Sequence, residues 1–209
     1  MSAEAEQTPN ASGRIPPTAV TREPTVAITP ENIAFLKKFP LPPNDNGRGL
    51  HFHLDLRDEV VTETVDHLQS INATWTQIYA QDPQQAQKVA KACWDVGIMP
   101  VMRIGKKVDE GFEAAAYVRA LVDVGAPPYI QIYNEPNDNR EWKDKRTPSN
   151  WKEIFARNWA REAARVFDAG GYPGVQTLGH GELEAVVDAV RFNGREDIWE
   201  RAWFNQHNY

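Results

Sequence analysis

The sequence has little cysteine and no long apolar stretch. Cys93 is the one cysteine among 209 residues, so the chain cannot form an internal disulfide and does not need an oxidising compartment. No hydrophobic run approaches the ~20 residues of a membrane-spanning helix, so we expect no membrane partner. The first residues lack the basic and apolar regions of a signal peptide. This predicts a cytoplasmic protein for the chain as it stands, or an exported one if the true N-terminus is missing.

Positive charge is also scarce. The 23 Lys and Arg residues are outnumbered by 29 Asp and Glu residues, which gives a net charge of −6. A protein that neutralises nucleic-acid phosphates needs a cationic surface, so we expect no nucleic-acid partner. Hydrophobic residues make up 41% of the chain, which is enough to build an ordinary globular core.

The first 28 residues differ in composition from the rest. Between Gln7 and Val26, four prolines alternate with Thr, Ser, Asn and Gly, which offers too little apolar surface to offset the entropy lost on ordering. Residues 1–28 are therefore predicted to be a disordered leader or linker, and residues 29–209 a folded domain. Its first helix is predicted to begin at Thr29-Pro30, an N-cap followed by proline.

From Gly49 onward, strand-like and helical segments alternate, which is typical of parallel βα units. Asp82 to Gln85 forms a predicted helix start, and Thr147 to Gly170 carries an apolar stripe at helical spacing. The predicted strands are Leu50–Leu54, Ala73–Tyr79, Ile98–Arg103, Tyr129–Tyr133, Val175–Leu178 and Trp203–Asn208.

Six strands with five intervening helices predict an α/β fold, an incomplete (β/α)₈ TIM barrel with helices on its outer face. A complete barrel needs eight strands and typically ~250 residues. The alternative is an open doubly wound sheet, but no Gly-rich nucleotide-binding loop follows any strand. Because the first and last strands of an incomplete barrel have unpaired edges, we also expect possible self-association through them.

Strand alternation predicts which side chains face the barrel interior. The inward set contains many polar side chains, which a purely structural barrel would avoid because each buried polar group needs a partner. The C-terminal ends of the strands are therefore predicted to form a binding site. The inward candidates are His51, His53 and Asp55; Trp75, Gln77 and Tyr79; Gln131, Tyr133 and Glu135; and Asn205, His207 and Tyr209.

Asn134, Glu135 and Pro136 end the fourth predicted strand. This tripeptide resembles the acid/base motif of the clan A glycoside hydrolases, which are retaining (β/α)₈ glycosidases. The resemblance implies that Glu135 protonates the leaving oxygen and that Asn134 hydrogen-bonds the sugar 2-hydroxyl. His207 and Tyr209 are similar to a His-x-Tyr motif on the sixth strand in part of the clan, where it positions the nucleophile. These four residues are the predicted catalytic set.

The sequence departs from this family at the nucleophile, a Glu on a seventh strand that is missing here. Retaining hydrolysis needs two carboxyl groups about 5–5.5 Å apart. The resemblance therefore predicts a glycoside hydrolase-like domain that acts on O-glycosidic bonds of an oligo- or polysaccharide, with half of its catalytic pair. It implies no cofactor and no metal.

Further side chains near the predicted strand ends are candidates for substrate binding. Arg103 has two interpretations, a substrate contact or an ion pair with Glu135 or Asp55. Trp142, expected to be exposed, either stacks on a sugar ring or covers the barrel rim, and His180 either contacts substrate or caps the next helix. The predicted substrate-binding residues are His53, Asp55, Tyr79, Arg103, Trp142 and His180.

Two other functions fit the same pattern. One is a metal-dependent sugar isomerase or epimerase on a TIM barrel, with nitrogen and oxygen ligands from His53, Asp55, Glu135, Glu182 and His207. It is weakened because no single strand or helix presents a His-x-x-x-His pair. The other is a carbohydrate-binding remnant without catalytic activity.

Overall fold

A computed structural model describes residues 29–177 and 180–206, apart from the side chains of Thr177, His180 and Gln206. The chain divides into two compact units, the first ending at Lys38 and the second beginning at Phe39. In the first unit, helix α1 (Pro30–Leu36) begins as predicted, with the Asn32 N–H donating to Thr29 Oγ1 at 3.2 Å. The predicted disordered leader lies outside the described residues.

The second unit contains one parallel sheet of six strands in sequential order, as far as the structure describes it. Five α-helices alternate with the strands, and none of the described helices is both long and apolar enough to cross a bilayer. The strands are β1 (Gly49–His51), β2 (Trp75–Ala80), β3 (Met99–Ile104), β4 (Tyr129–Ile132), β5 (Tyr172–Thr177) and β6 (Trp203–Gln206). The helices are α2 (Asp58–Ser70), α3 (Pro83–Trp94), α4 (Ala114–Val122), α5 (Trp151–Asp168) and α6 (His180–Phe192).

The helix starts follow from capping chemistry. At α3 the Asp82 carboxylate accepts from the Gln85 N–H at 2.8 Å, and the Gln85 side chain accepts from the Gln81 N–H at 3.2 Å. The predicted cap is therefore present, although its reciprocal bond reaches one residue further back than expected. Pro83 occupies the first turn, where its missing N–H leaves no helical hydrogen bond unmade.

The hydrophobic core lies between the sheet and the helices. Ile78 of β2, Met102 of β3 and Ile130 of β4 are fully buried on one face, where they join a cluster that includes Val89 of α3 and Trp159 of α5. The opposite, inner face is polar. Its amide side chains join strands that are not neighbours, which requires the sheet to curl. This architecture is an incomplete TIM-barrel-like fold, and it confirms the predicted fold class.

Two tryptophans pack on glycines of neighbouring strands. The indole of Trp75 lies directly over Gly49, its partner in the β1–β2 register, and Trp203 lies over Gly174 in the β5–β6 register. A Cβ at either glycine would collide with the ring, so both positions require glycine.

Candidate functional site

A layer of amide side chains crosses the interior of the curled sheet. Gln131 of β4 accepts hydrogen bonds through Oε1 from the Nε2 of Gln77 on β2 and from the Nδ2 of Asn205 on β6, the latter at 2.8 Å. Its own Nε2 donates to the backbone oxygen of Tyr133 at 3.1 Å. The predicted inward orientation of Gln77, Gln131 and Asn205 is confirmed. A cavity of about 410 Å³ borders this layer toward the strand starts. It is lined by His51, Trp75, Gln77, Met99, Val101, Trp203, Phe204 and Asn205 together with residues of the loop before β1.

The backbone after β4 is strained. Tyr133 has φ 59° and Glu135 has φ 27°, a left-handed conformation that is uncommon for residues with a Cβ. Strained residues persist only where the surrounding structure holds them, and they cluster at functional sites. This turn presents Asn134 and Glu135 at the C-terminal end of the sheet, where TIM barrels carry their active sites.

Tyr133 does not face the interior, so its predicted inward orientation is wrong. It is 1% exposed, and its hydroxyl donates to the Glu110 backbone oxygen at 2.6 Å. Its pKa is raised, first by burial and then by the negative charge of Glu162 on α5. The alternation of inward and outward side chains along β4 stops at Ile132, because the positive φ of Tyr133 turns the backbone. The tyrosine thereby fastens the strained turn to the loop between β3 and α4.

Asn134 is buried and belongs to a polar group with Glu141 and Arg103. Its Nδ2 donates to Glu141 Oε1 at 3.2 Å, and the same oxygen lies 3.6 Å from Arg103 Nη2. The Arg103 guanidinium also lies over the Tyr79 ring, 5.1 Å from its centroid. The structure therefore brings together Tyr79, Arg103 and Asn134 as predicted near the ends of β2, β3 and β4. Arg103 forms its ion pair with Glu141 and not with Glu135 or Asp55, the two predicted partners.

Glu135 is half-buried beside this group. Its N–H donates to Gln176 Oε1 of β5 at 2.6 Å. The pKa of Arg140 is raised, chiefly by its hydrogen bond to Asp138 and to a smaller extent by the charge of Glu135. The carboxylate of Glu135 therefore lies within electrostatic range of a cation in the loop after β4.

Three buried polar atoms at this end of the sheet have no hydrogen-bond partner within the described part of the chain. They are the Nε of Arg103, the Oδ1 of Asn134 and the Nε2 of Gln176. They belong to strand ends or turns of three consecutive strands, β3, β4 and β5, and neighbouring strands lie ~4.8 Å apart. Two are donors and one is an acceptor, a set that one ligand with both kinds of group can satisfy.

His53 and Asp55 do not lie in the interior, so their predicted inward orientation is wrong. β1 ends at His51, and the chain beyond it follows the open edge of the sheet. Asp55 is bound by Arg57 at 2.6 Å, and hydrogen bonds from Arg57 lower its pKa. His53 is exposed and accepts from the Asp55 N–H at 3.0 Å. These groups stabilise a local turn.

Trp142 is buried, so the expectation that its ring is exposed is wrong. It is 2% exposed, and its Nε1 donates to the Pro136 backbone oxygen at 2.9 Å. The ring covers the turn after β4, because the loop folds back over the strand end. His207, Tyr209 and the side chain of His180 lie outside the described residues.

Sequence reasoning missed Gln176 and Glu141. Gln176 carries a detectable signal, since Tyr172, Gly174 and Gln176 alternate along β5, but the predicted strand began at Val175, too late to show it. Glu141 lies in a 3₁₀ turn (Asn139–Glu141), six residues beyond Glu135. Nothing in a single sequence places such a turn against Asn134.

The described residues contain no group of three or more His, Cys, Asp or Glu side chains that could hold a metal ion. Of the ligand set considered from the sequence, Asp55 is bound by Arg57, and His53 contacts the backbone of its own turn. Glu135 is half-buried after β4, Glu182 is buried in α6, and His207 lies outside the described residues. The donor set in this part of the chain therefore does not fit a metal centre.

No protein-family model matches the sequence, and no curated protein matches it. Solved structures do match the fold. D-allulose 3-epimerase from Methylomonas sp. aligns with a TM-score of 0.53 and 12% identity, over 80% of this chain and 64% of the epimerase. An L-ribulose 3-epimerase aligns with a TM-score of 0.51 and 12% identity, over 76% of this chain and 59% of that one. The chain thus spans less than two thirds of the length of either neighbour.

These comparisons correct the predicted relationship to clan A glycoside hydrolases, and with it the predicted hydrolysis of O-glycosidic bonds. The fold neighbours are sugar 3-epimerases, which agree better with the alternative considered from the sequence. The prediction failed because it depended on a tripeptide at a strand end. Every parallel barrel presents polar residues there, so the position of Asn134 and Glu135 does not by itself define the chemistry.

Proposed function

We propose that the C-terminal end of the curled sheet binds a sugar and that the chain takes part in sugar isomerisation or epimerisation. The observation that carries this proposal is the set of three unpartnered polar atoms on Arg103, Asn134 and Gln176. A hydroxyl group both donates and accepts, so neighbouring hydroxyls satisfy two donors and an acceptor together. A carboxylate only accepts, and it would leave Asn134 Oδ1 unpaired.

The fold neighbours support the same ligand class. One of them is known in complex with D-allulose, a ketose sugar.

The reaction class is proton transfer at a carbon next to a carbonyl. The Glu135 carboxylate takes a proton from that carbon, and the carbonyl oxygen gains the negative charge of an enediolate. In isomerisation, Glu135 returns the proton to the neighbouring carbon on the same face while a proton shifts between the two oxygens. In epimerisation, solvent water delivers a proton to the opposite face, and Glu135 releases its proton to solvent. Arg103 and Gln176 supply N–H donors for that oxygen. Asn134 accepts from a neighbouring hydroxyl and orients the sugar. No step in this scheme uses a metal, because the described donor set does not fit one.

The test is exchange of substrate hydrogen with solvent. D-allulose and L-ribulose are incubated with the protein in D₂O, and deuterium incorporation is followed by NMR. We expect Glu135→Gln to lower the exchange rate by about 10²–10⁴-fold while sugar binding persists. Glu200→Gln, a change at an exposed carboxylate of the Glu196–Glu200 turn, is the matched control and leaves the rate unchanged. Equal rates in the wild type and Glu135→Gln would remove Glu135 from the reaction.

A binding function without turnover is the second candidate, because the three unpartnered polar atoms on Arg103, Asn134 and Gln176 serve binding alone equally well. It predicts chemical-shift changes on adding sugar with no deuterium incorporation. In both cases Arg103→Met and Asn134→Leu weaken binding, because each removes one of the unpartnered polar atoms.

A further inference from the structure

A surface groove runs along the outer side of α5 and α6, and its lining includes none of the strand-end residues discussed above. Its volume is about 570 Å³. Small side chains, Ala156, Ala185 and Ala189, form part of its lining, and Phe192 stands beside them at the end of α6. The remaining lining residues are Glu153, Arg157, Asp188 and Asn193.

Phe192 is 92% exposed, more than any other large hydrophobic side chain in the described part of the chain. A phenyl ring in water has a strong tendency to become buried, and an aromatic group next to a groove lined by small residues is typical of an interaction surface. Packing through alanines allows two helical surfaces to approach closely.

Three charged side chains surround the groove without a partner. Glu153, Arg157 and Asp188 are exposed, and within residues 29–177 and 180–206 none of them has an ion pair or a side-chain hydrogen bond. Farther along α5, by contrast, Arg161 and Arg165 both pair with Glu162. The surface around the groove therefore carries both signs of charge, neither of them neutralised locally.

We propose that this groove is the contact surface between two copies of this chain related by a twofold axis. In such a pairing the Phe192 ring of each copy enters the alanine-lined groove of the other. Asp188 precedes Phe192 by one helical turn, so it then approaches Arg157, the neighbour of Ala156, on the other copy. The interface is isologous, so the same aromatic insertion and ion pair occur twice.

The charge pattern favours a second copy over an unrelated partner. Each chain carries a net charge of −6, so two copies repel one another unless opposite charges meet locally. Here the groove presents an arginine and two carboxylates on one surface, which is self-complementary under a twofold rotation. A partner of one charge sign would leave like charges facing each other.

The first experiment is sedimentation equilibrium of the full chain across the micromolar range. We expect a reversible monomer–dimer equilibrium that Phe192→Ser weakens by at least about tenfold in Kd. The matched control is Phe204→Ser, which changes an exposed aromatic residue on edge strand β6 and leaves Kd unchanged. Circular dichroism confirms that both variants fold. A strictly monomeric wild type, or a dimer weakened by Phe204→Ser and not by Phe192→Ser, would overturn the proposal.

The second experiment tests the ion pair by charge exchange. Arg157→Asp and Asp188→Arg each place like charges across the interface, so each variant alone dimerises about tenfold more weakly. An equimolar mixture restores a heterodimer of nearly wild-type affinity, since each exchanged residue then meets its opposite. Absence of that recovery would contradict the proposed pairing.

Discussion

The two faces of the sheet differ in how completely their side chains are satisfied. The outer face is apolar and buried against helices, and Ile78, Met102 and Ile130 are all fully inaccessible to solvent. On the inner face, Gln77 and Asn205 both donate to Gln131, while Gln176 retains an unpartnered nitrogen within the described structure. The comparison shows that the outer face is filled by apolar packing, whereas the inner face holds polar groups that are only partly satisfied within the described residues.

The largest expected effect lies on the outer side. Trp159 is fully buried, stacks on Trp199 with ring centroids 6.0 Å apart, and donates from Nε1 to the Gly174 oxygen at 3.0 Å. We expect Trp159→Ala to lower the free energy of unfolding by about 3–5 kcal/mol, measured by urea denaturation. A loss below about 1 kcal/mol would show that the packing of α5 on the sheet is loose.

An inner-face change should affect stability less and binding more. Gln131→Leu leaves Gln77 and Asn205 without their common acceptor, which lowers the free energy of unfolding by about 1–3 kcal/mol. Sugar binding, followed by NMR titration, should fall as the amide layer loosens. Gln69→Leu, at an exposed position of α2, is the control with no effect on binding. Unchanged stability in Gln131→Leu would mean that water replaces the lost acceptor.

The pH dependence of stability reports on Cys93, which lies in α3 against the outer side of the sheet. Burial raises the pKa of its thiol from 9.0 to about 12. Below pH 9 the thiol is protonated in both states. Above it the unfolded chain loses the proton while the folded chain keeps it, so stability falls by up to ~1.4 kcal/mol per pH unit until about pH 12. In Cys93→Ala, the free energy of unfolding measured by urea denaturation should decline less steeply with pH. An identical decline in both proteins would show that Cys93 does not cause it.

The smallest effect is expected at the junction between the faces. Tyr133→Phe removes the hydrogen bond to the Glu110 oxygen, which should lower the free energy of unfolding by about 0.5–1.5 kcal/mol. Tyr133 holds the strained turn that carries Glu135. The rate of deuterium incorporation into the sugar should therefore fall by more than the loss of stability explains. Equal deuterium exchange rates in both proteins would show that the turn keeps its geometry without the hydroxyl.

The predicted self-association through the sheet edges and the proposed groove dimer use different parts of the molecule. Edge pairing uses backbone groups of β1 and β6, whereas the groove uses side chains of α5 and α6. The Phe192→Ser and Phe204→Ser variants therefore distinguish them directly.

Much of the fold was readable from the sequence because its signals are local. Alternating strand and helix patterns, the cap at Asp82 and the apolar stripe of α5 each depend on neighbours within a few residues. The strand order followed, since parallel strands joined by short helices pair sequentially. Even the inward direction of Gln77, Gln131 and Asn205 follows from alternation along single strands.

The arrangement of the candidate site depends on long-range contacts. The left-handed conformation of Tyr133 turned that side chain outward, and folding of the following loop buried Trp142 and brought Glu141 to Asn134. These contacts join residues through turns whose geometry the sequence does not encode locally. Local sequence patterns show which residues lie near the strand ends, whereas long-range packing sets which of them meet.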